Sequence, residues 1–409
     1  MLPVNPVNSR PTYSQLSFLL FTFCLEQATG KNYSTLLQET ILQPLNLTST
    51  GVSPGNIHRA VIPPGPSAWG SDFGFNAPYV YPIIPMPPSQ HLPLSNPHQL
   101  TQPNKPSGGG LFSTLNDLSA LASSILAHTI LPTPAAVRKW LKPTSMTSSP
   151  TTLVGSPWEI LRTTHLTPHN PHTIDIYGKS GGALGYTAQF SLIDQYGVGA
   201  VILTAGPVGA LDILHQTVLG TFLPAIEAET RAQSTKYTGT WSSPSPSNTT
   251  LTLTLDTNPG LHLTALTHSN TSIKDAIAQI YQTQYTPLGF GLLAPDLRLY
   301  PTGIETPVSP AEARSLGHPS SRLVRRDWRL HLDIVPLDGA AVSDLPGLGA
   351  EWWDLDAYCA GWQMGDWMQY GGEALDRVVF VVDAGDAGDG GEMVGVEVPG
   401  LRGGLLVSG

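Results

Sequence analysis

The residues of this sequence whose types and spacing most clearly indicate a reactive or binding site are Lys179, Ser180 and Gly181. Gly182 follows them directly. An ammonium group beside a hydroxyl group can hold a carboxylate or a carbonyl by charge and hydrogen bonding. The glycines leave room for a substrate to lie flat against the backbone, where a side chain would block it. The triplet stands before a strand-like run from Gln189 to Leu203, so we expect it at the start of a β-sheet region. A surface lysine before a glycine-rich turn is the alternative interpretation.

A second candidate group stands near the beginning of the sequence, where Tyr13 and Gln15 precede an apolar run. This run predicts a helix over residues 16–29, which Gly30 ends. Because apolar residues occur on both faces of that helix, we expect it to be buried nearly all round. Cys24 is then a buried thiol, and a bridge to the distant Cys359 is not expected.

Five short segments accompany these residues in a fixed order along the chain. They are Pro11–Gln15 with its following helices, Gly109–Leu118, Gly155–Ile160, Tyr177–Gly182 and Tyr237–Trp241. Together they resemble the serine β-lactamase-related family (penicillin-binding and class C β-lactamase-like proteins), in particular fungal β-lactamase-like proteins with a C-terminal β domain. The resemblance covers nearly the whole chain. It implies an α+β fold, with a β-lactamase/transpeptidase-like domain over residues 1–230 and a mainly β domain over residues 231–409.

The resemblance also implies roles for individual residues. Tyr13 would take the proton of a nucleophilic serine, Lys179 would supply positive charge beside it, and Ser180 would anchor a substrate carboxylate or relay protons. The Gly182 N–H would form half of an oxyanion hole, and Gly181 would line the substrate site. Gln15 stands where the family usually has asparagine, so its amide would meet the substrate with shifted geometry. No cofactor is implied, and the partner is a small ester, amide or peptide substrate.

One family motif does not occur in the 409 residues, because no serine is followed three positions later by lysine. The family nucleophile is the serine of that Ser-x-x-Lys motif, upstream of the tyrosine motif. We therefore expect the first domain to be incomplete at its N-terminus, which would uncover the apolar helix 16–29. The leading hypothesis is a fragment of a secreted serine hydrolase. A non-catalytic binding protein and an acyltransferase of secondary metabolism are the alternatives.

Composition narrows the functional classes further. The chain length favours two domains, and beyond residue 236 apolar and polar residues alternate as in β-strands. A net charge of −10 argues against nucleic-acid binding, and Arg322, Arg325, Arg326 and Arg329 suggest a strand edge. No apolar run is long enough to span a membrane. Four Asn-x-Ser/Thr triplets, at Asn32, Asn46, Asn248 and Asn270, favour a secreted glycoprotein, although the sequence shows no signal peptide.

Several other polar residues have ordinary structural interpretations. His165, His169 and His172 are interrupted by prolines, so no metal site is expected there. The acidic run Asp383–Glu392 is expected to be a hairpin loop and not a calcium site. Ser113, Asn116 and Asp117 are expected to cap a helix that runs to about Ala127. For Trp158 and Glu159, a place in a substrate site and a structural role remain equally open, and the long segment 52–107 is expected to be an ordered loop beside a pocket.

Overall fold

The computed structural model describes residues 5–7, 9–52, 61, 111–183, 186–207, 209–243, 248–285, 287, 293–319, 322–336, 368–385 and 391–408. The chain divides into two compact units, Met1–Ile226 and Glu227–Gly409. Residues 52–107 lie almost wholly outside the described residues, as do Cys359 and the tip of the acidic run, so those expectations stay predictions.

The first unit contains helices and one antiparallel sheet. Its helices are α1 (Gln15–Thr29), α2 (Tyr33–Leu37, continued by a π turn over Gln38–Leu42), α3 (Leu115–Leu126), α4 (Pro134–Trp140) and α5 (Ala210–Ser234). Its strands are β1 (Ser145–Met146), β2 (Thr152–Val154), β3 (Glu159–Thr163), β4 (Ile174–Ala183), β5 (Tyr186–Ile193) and β6 (Val198–Ala205). Helix α5 begins in the first unit, and its last residues, from Glu227 on, belong to the second unit.

The six strands pair in sequence order, each antiparallel to the next. One face of the sheet carries Ile160 and Leu192 against Ile125 of α3 and Val137 of α4. The other face carries residues such as Ile176 against Leu219 and Leu223 of α5. Alternation of side chains across each strand produces two apolar faces, and a helix layer covers each of them.

Helix α1 begins and ends as its sequence indicates but is not buried as expected. The Ser14 hydroxyl accepts a hydrogen bond from the Ser17 N–H at 3.1 Å, and Gly30 closes the helix with a φ of 68°. Five large apolar side chains are exposed, namely Leu16, Phe18, Leu20, Phe21 and Phe23. The expectation of a buried Cys24 is also wrong, because the thiol is exposed. Apolar residues on every side of one helix cannot all be covered by elements that pack on one side.

The second unit is built mainly from strands. They are β7 (Gly239–Ser243), β8 (Thr249–Thr254), β9 (Leu261–His268), β10 (Thr271–Ser272), β11 (Leu293–Pro307), β12 (Leu323–Pro336), β13 (Gln369–Tyr370), β14 (Glu373–Ala374), β15 (Arg377–Asp383), β16 (Glu392–Glu397) and β17 (Leu405–Ser408). Two short helices accompany them, α6 (Ile273–Ile280) and α7 (Pro310–Ser315). The expected mainly β second domain is confirmed.

Eight of the described strands close into an antiparallel barrel in the order β9-β11-β12-β15-β16-β17-β7-β8, since β8 pairs again with β9. The barrel interior is filled by buried side chains, among them Trp241, Trp328 and Phe380. A barrel of eight strands is just wide enough for side chains to fill. The expected strand edge at Arg325 and Arg326 is wrong, because β12 lies between β11 and β15. Asp383 pairs with Glu392, so the acidic run joins two paired strands.

Candidate active site

The Lys-Ser-Gly triplet lies in the second half of strand β4, just beyond the part of β4 that pairs with β3. Strand β3 pairs with β4 only from Ile174 to Gly178, whereas β5 pairs with it from Tyr177 to Ala183. Among the described strands, the second half of β4 therefore has a partner on one side only. Lys179 to Ala183 form a free backbone edge, which is where an extended substrate could lie.

Two backbone N–H groups face that free edge. The Ser180 N–H points away from β5, since it donates to the Glu159 carboxylate at 3.3 Å. Backbone donors two residues apart in a strand point to the same side, so the Gly182 N–H shares this direction. No described atom comes within 4 Å of the position that a Cβ on Gly182 would take. The edge therefore offers an open position with a backbone donor.

Tyr13 and Lys179 lie together although they are far apart in sequence. The Lys179 Nζ stands 5.0 Å from the centre of the Tyr13 ring, within the range of a cation–π interaction. Tyr13 comes just before the cap of α1 and is 67% exposed. The fold thus joins the tyrosine motif to the Lys-Ser-Gly motif.

Glu159, at the start of β3, contacts both polar side chains of the triplet. Its carboxylate accepts a hydrogen bond from the Lys179 Nζ at 3.0 Å and another from the Ser180 hydroxyl at 3.1 Å. Lys179 also donates to the Ser180 carbonyl oxygen at 2.9 Å. Glu159 therefore lies in the site. Its neighbour Trp158 is buried, with its ring 5.0 Å from Trp140, and packs in the apolar layer under α3 and α4.

Two further predicted site residues, Gly181 and Gln15, are neighbours in sequence of the residues just described. Gly181 sits on β4 opposite Ala188 of β5 and is exposed. Gln15 is the first residue of α1, two positions after Tyr13. The proposed roles of Tyr13, Gln15, Lys179, Ser180, Gly181 and Gly182 stay predictions, although the backbone of β4 and the start of α1 bring Tyr13 to Lys179.

A serine–histidine pair that the sequence analysis missed lies in the same unit. The Ser191 hydroxyl on β5 is 2.9 Å from the His215 Nε2 on α5, and it also accepts from the Gln189 amide at 3.0 Å. Burial lowers the pKa of His215, although nearby Asp212 opposes that shift. Ser191 is only 1% exposed, so a substrate cannot reach it. This pair ties α5 to the sheet.

Asp117 has a different role from the expected helix cap. Thr114 caps α3, since its hydroxyl accepts from the Asp117 N–H at 3.3 Å. The buried Asp117 carboxylate instead accepts from the Ser49 N–H at 2.9 Å and from the Thr50 hydroxyl at 2.7 Å. Thr50 also contacts the Ser113 hydroxyl at 2.7 Å. The carboxylate thus pins the segment after α2 to the start of α3, through hydrogen bonds that only the tertiary fold creates.

The histidines of the loop before β4 contact ordinary protein groups. His172 lies 2.7 Å from the Asn170 carbonyl oxygen and 2.9 Å from the Tyr196 hydroxyl. Within the described part of the chain, no group of three or more His, Cys, Asp or Glu side chains is arranged to hold a metal ion. None of the described helices is both long and apolar enough to cross a membrane.

Two curated relatives match nearly the whole of this chain. The chain is 42% identical to a "Beta-lactamase-like protein" of Arthroderma benhamiae, over 99% of this chain and 62% of that protein. It is 24% identical to "Probable hydrolase M10" of a Phoma species, over 91% of this chain and 53% of that protein. The chain thus spans between about half and two thirds of the length of these curated relatives.

Solved structures show weaker likenesses. A penicillin binding protein from Bacillus halodurans is 14% identical, with a TM-score of 0.37 over 52% of this chain and 56% of its own. The D-amino acid amidase from Ochrobactrum anthropi, solved with L-phenylalanine, is 17% identical, with a TM-score of 0.36 over 55% of this chain and 58% of its own. Both likenesses are distant, below 25% in identity and below 0.5 in TM-score.

Two protein-family models match this chain, each over a different part of the sequence. A model described as "Beta-lactamase-like-like, C-terminal domain" matches residues 228–408. A model described as "Beta-lactamase" matches residues 1–217, more than half of the chain, including Tyr13 and the Lys-Ser-Gly triplet. The chain therefore belongs to the β-lactamase family.

Proposed function

We propose that this chain is part of a serine hydrolase that cleaves a small ester or amide through an acyl-enzyme. The observation that carries the proposal is the meeting of Tyr13 with Lys179 beside the free edge of β4. A base next to a positive charge, facing open backbone donors, is the arrangement that acyl transfer needs. The name "Probable hydrolase", carried by two relatives, supports the same class.

The nucleophilic serine, in this proposal, lies on a segment of the full-length protein outside the 409 residues. Its hydroxyl gives its proton to Tyr13 while the oxygen bonds to the substrate carbonyl carbon. The carbonyl oxygen takes the electron pair, and the Gly182 N–H stabilises it. When the bond to the alcohol or amine breaks, the leaving group receives the proton from Tyr13. Water then repeats the sequence, which releases the acid and restores the serine.

Two observations support a further segment in the full-length protein. The first is that the matched relatives are longer, since this chain covers 62% of one and 53% of another. The second is the exposed apolar surface of α1, where Leu20 is 55% and Phe21 is 59% exposed. Exposed apolar patches of this kind mark surfaces that another element covers.

The proposal is tested with the full-length protein and a fluorophosphonate probe, which labels activated serines. Tyr13→Phe should slow labelling and ester hydrolysis by about 100-fold or more, because general base catalysis contributes about 10²–10⁴-fold. Tyr370→Phe is a matched control, since Tyr370 is also exposed and has the Arg402 guanidinium 5.7 Å from its ring. Unchanged labelling in Tyr13→Phe would refute the role of this tyrosine.

A non-catalytic binding protein is the second candidate, favoured by the lack of Ser-x-x-Lys within the 409 residues. It predicts that the full-length protein is not labelled by the probe, yet binds small amides reversibly at the β4 edge. Labelling of a serine that precedes Tyr13 would exclude it.

We also propose that the protein is secreted and glycosylated. Asn46, Asn248 and Asn270 are exposed residues with positive φ, at 54°, 41° and 65°, and Asn46 and Asn270 lie in turns. Exposed turns are where the Asn-x-Ser/Thr triplet can be modified.

A further inference from the structure

The carboxylate of Glu159 lies where an anionic group of a substrate would bind. It is 3.0 Å from the Lys179 Nζ and 3.1 Å from the Ser180 Oγ, the two groups that would hold a substrate carboxylate. It also takes the N–H of Ser180, one of the two donors at the free edge of β4. The Glu159 carboxylate therefore accepts hydrogen bonds from the Lys179 ammonium, the Ser180 hydroxyl and the Ser180 N–H. These are the donors that the carboxylate of a ligand would use.

This contact has consequences for charge and for hydrogen bonding. The ammonium of Lys179 and the carboxylate of Glu159 sum to zero charge, so the site offers no net attraction to an anion. The Ser180 hydroxyl has a single proton, and it is already donated to Glu159, so the hydroxyl faces a substrate as an acceptor. A second carboxylate would meet Glu159 at close range, and like charges that close repel.

The Glu159 side chain remains reachable by substrate. Its side chain is 44% exposed and that of Lys179 is 30% exposed. The contact is therefore at the surface of the site, where it can act on bound molecules directly.

We propose that Glu159 is a specificity-determining residue, which makes this site select neutral or cationic acyl substrates over those that carry a carboxylate. The expected preference in hydrolysis rates rests on the proposed function. The expected preference in ligand binding does not. In binding terms, the Lys179–Ser180 pair accepts a neutral amide or ester and discriminates against an anion of the same shape.

The kinetic test compares two esters in the full-length protein, neutral 4-nitrophenyl butyrate and anionic 4-nitrophenyl hydrogen succinate. The wild type should prefer the butyrate. Glu159→Gln should shift the ratio of kcat/KM about tenfold or more toward the succinate, since a unit charge near 4 Å in a surface site has an effect of this size. Glu159→Asp should keep the wild-type preference.

A matched control exists in the same unit. Glu39 forms an exposed ion pair with Lys31 at 2.5 Å, far from strand β4 in sequence. Glu39→Gln removes the same charge and should leave the substrate ratio unchanged. If Glu159 only positions Lys179, Glu159→Gln would instead slow both esters equally, and that result would overturn the proposal.

A binding test separates this inference from the proposed function. Phenylacetate and phenylacetamide, matched in shape, are titrated into the full-length protein and followed by ligand-observed NMR. Glu159→Gln should strengthen phenylacetate binding about tenfold, in a salt-dependent manner, and leave phenylacetamide unchanged. If this shift occurs while the full-length protein hydrolyses no ester, the proposed function fails and the inference stands. If Glu159→Gln gains no phenylacetate binding, the inference is wrong even where hydrolysis is found.

Discussion

The two units of the chain differ in how their strand edges are paired and in where their ion pairs lie. In the second unit β8 pairs with β9 and closes the barrel, so eight described strands have partners on both sides. In the first unit the described strands form an open sheet, in which half of β4 pairs with only one of them. A closed sheet satisfies its own backbone groups, whereas an open edge leaves donors for another molecule. The backbone donors available to another molecule therefore belong, among the described strands, to the first unit.

Charged side chains show the same contrast. Arg325 bridges Glu312 and Glu397, Arg329 pairs with Asp376, and Arg377 pairs with Asp327, so each links different segments of the second unit. These pairs join structural neighbours. In the first unit the pair of Lys179 and Glu159 lies at the free edge, where a substrate would displace or meet it. Ion pairs of similar length would therefore differ in role. Those named in the second unit join parts of the structure, whereas the Lys179–Glu159 pair would meet a bound substrate.

The largest effect on stability is expected from a substitution in the barrel core. Phe380 is fully buried and its ring lies 4.9 Å from that of Tyr237 and 5.3 Å from that of Trp328. Phe380→Ala should lower the free energy of unfolding by about 3–5 kcal/mol, because a cavity remains in a filled interior. Urea denaturation followed by tryptophan fluorescence measures it. Phe222→Ala, at a 60% exposed side chain, is the control and should change stability by less than about 0.5 kcal/mol.

A pair of glycine variants sharpens the distinction between structural and functional positions on β4. At Gly178 an added Cβ would lie 2.9 Å from the Gln189 amide nitrogen and 3.3 Å from the Glu159 carbonyl oxygen. Gly178→Ala should therefore destabilise the first unit by about 1–3 kcal/mol. Gly182→Ala should leave the melting temperature unchanged and still reduce hydrolysis, because only a substrate would meet the new methyl group. Equal melting temperatures for both variants would contradict this reading of the strand.

Acid should weaken the barrel through its carboxylates. Hydrogen bonds from Arg298 lower the pKa of Asp256, and those from Arg325 lower the pKa of Glu312. The folded state then binds fewer protons than the unfolded state, so this stability is complete above the ordinary carboxyl pKa and is lost as pH falls through the lowered value. Asp256→Asn should flatten the fall of the urea midpoint between about pH 5 and pH 2. Asp275→Asn, in the same unit and without a described ion pair, should leave the fall unchanged.

The smallest effect concerns exposed asparagines of both units. After secretion from a fungal host, enzymatic deglycosylation in heavy-oxygen water and mass spectrometry should find modified Asn46, Asn248 and Asn270. Their replacement by glutamine should alter stability by less than about 0.5 kcal/mol, as for other exposed positions. Unmodified asparagine at all three positions of a secreted protein would contradict the glycosylation proposal.

Much of the local structure was predictable because it depends on neighbouring residues. Gly30 ends α1, and the alternation at Leu251 and Leu253 marks a strand whose apolar side faces the barrel interior. The order of the motifs also predicted the family, which the comparisons confirm. The wrong expectations concern partners from distant parts of the chain. The exposed Cys24 and the buried Asp117 each depend on which element packs alongside.

The sequence by itself determined residue chemistry, strand and helix periodicity, and the family. These are local properties, set by side-chain types and their spacing. Only the tertiary structure decided that the barrel closes, that Ser191 of the serine–histidine pair is inaccessible, and that Glu159 occupies the Lys179–Ser180 pair. Those outcomes depend on pairing registers, and a shift of one residue between β3 and β4 would turn Glu159 to the other face.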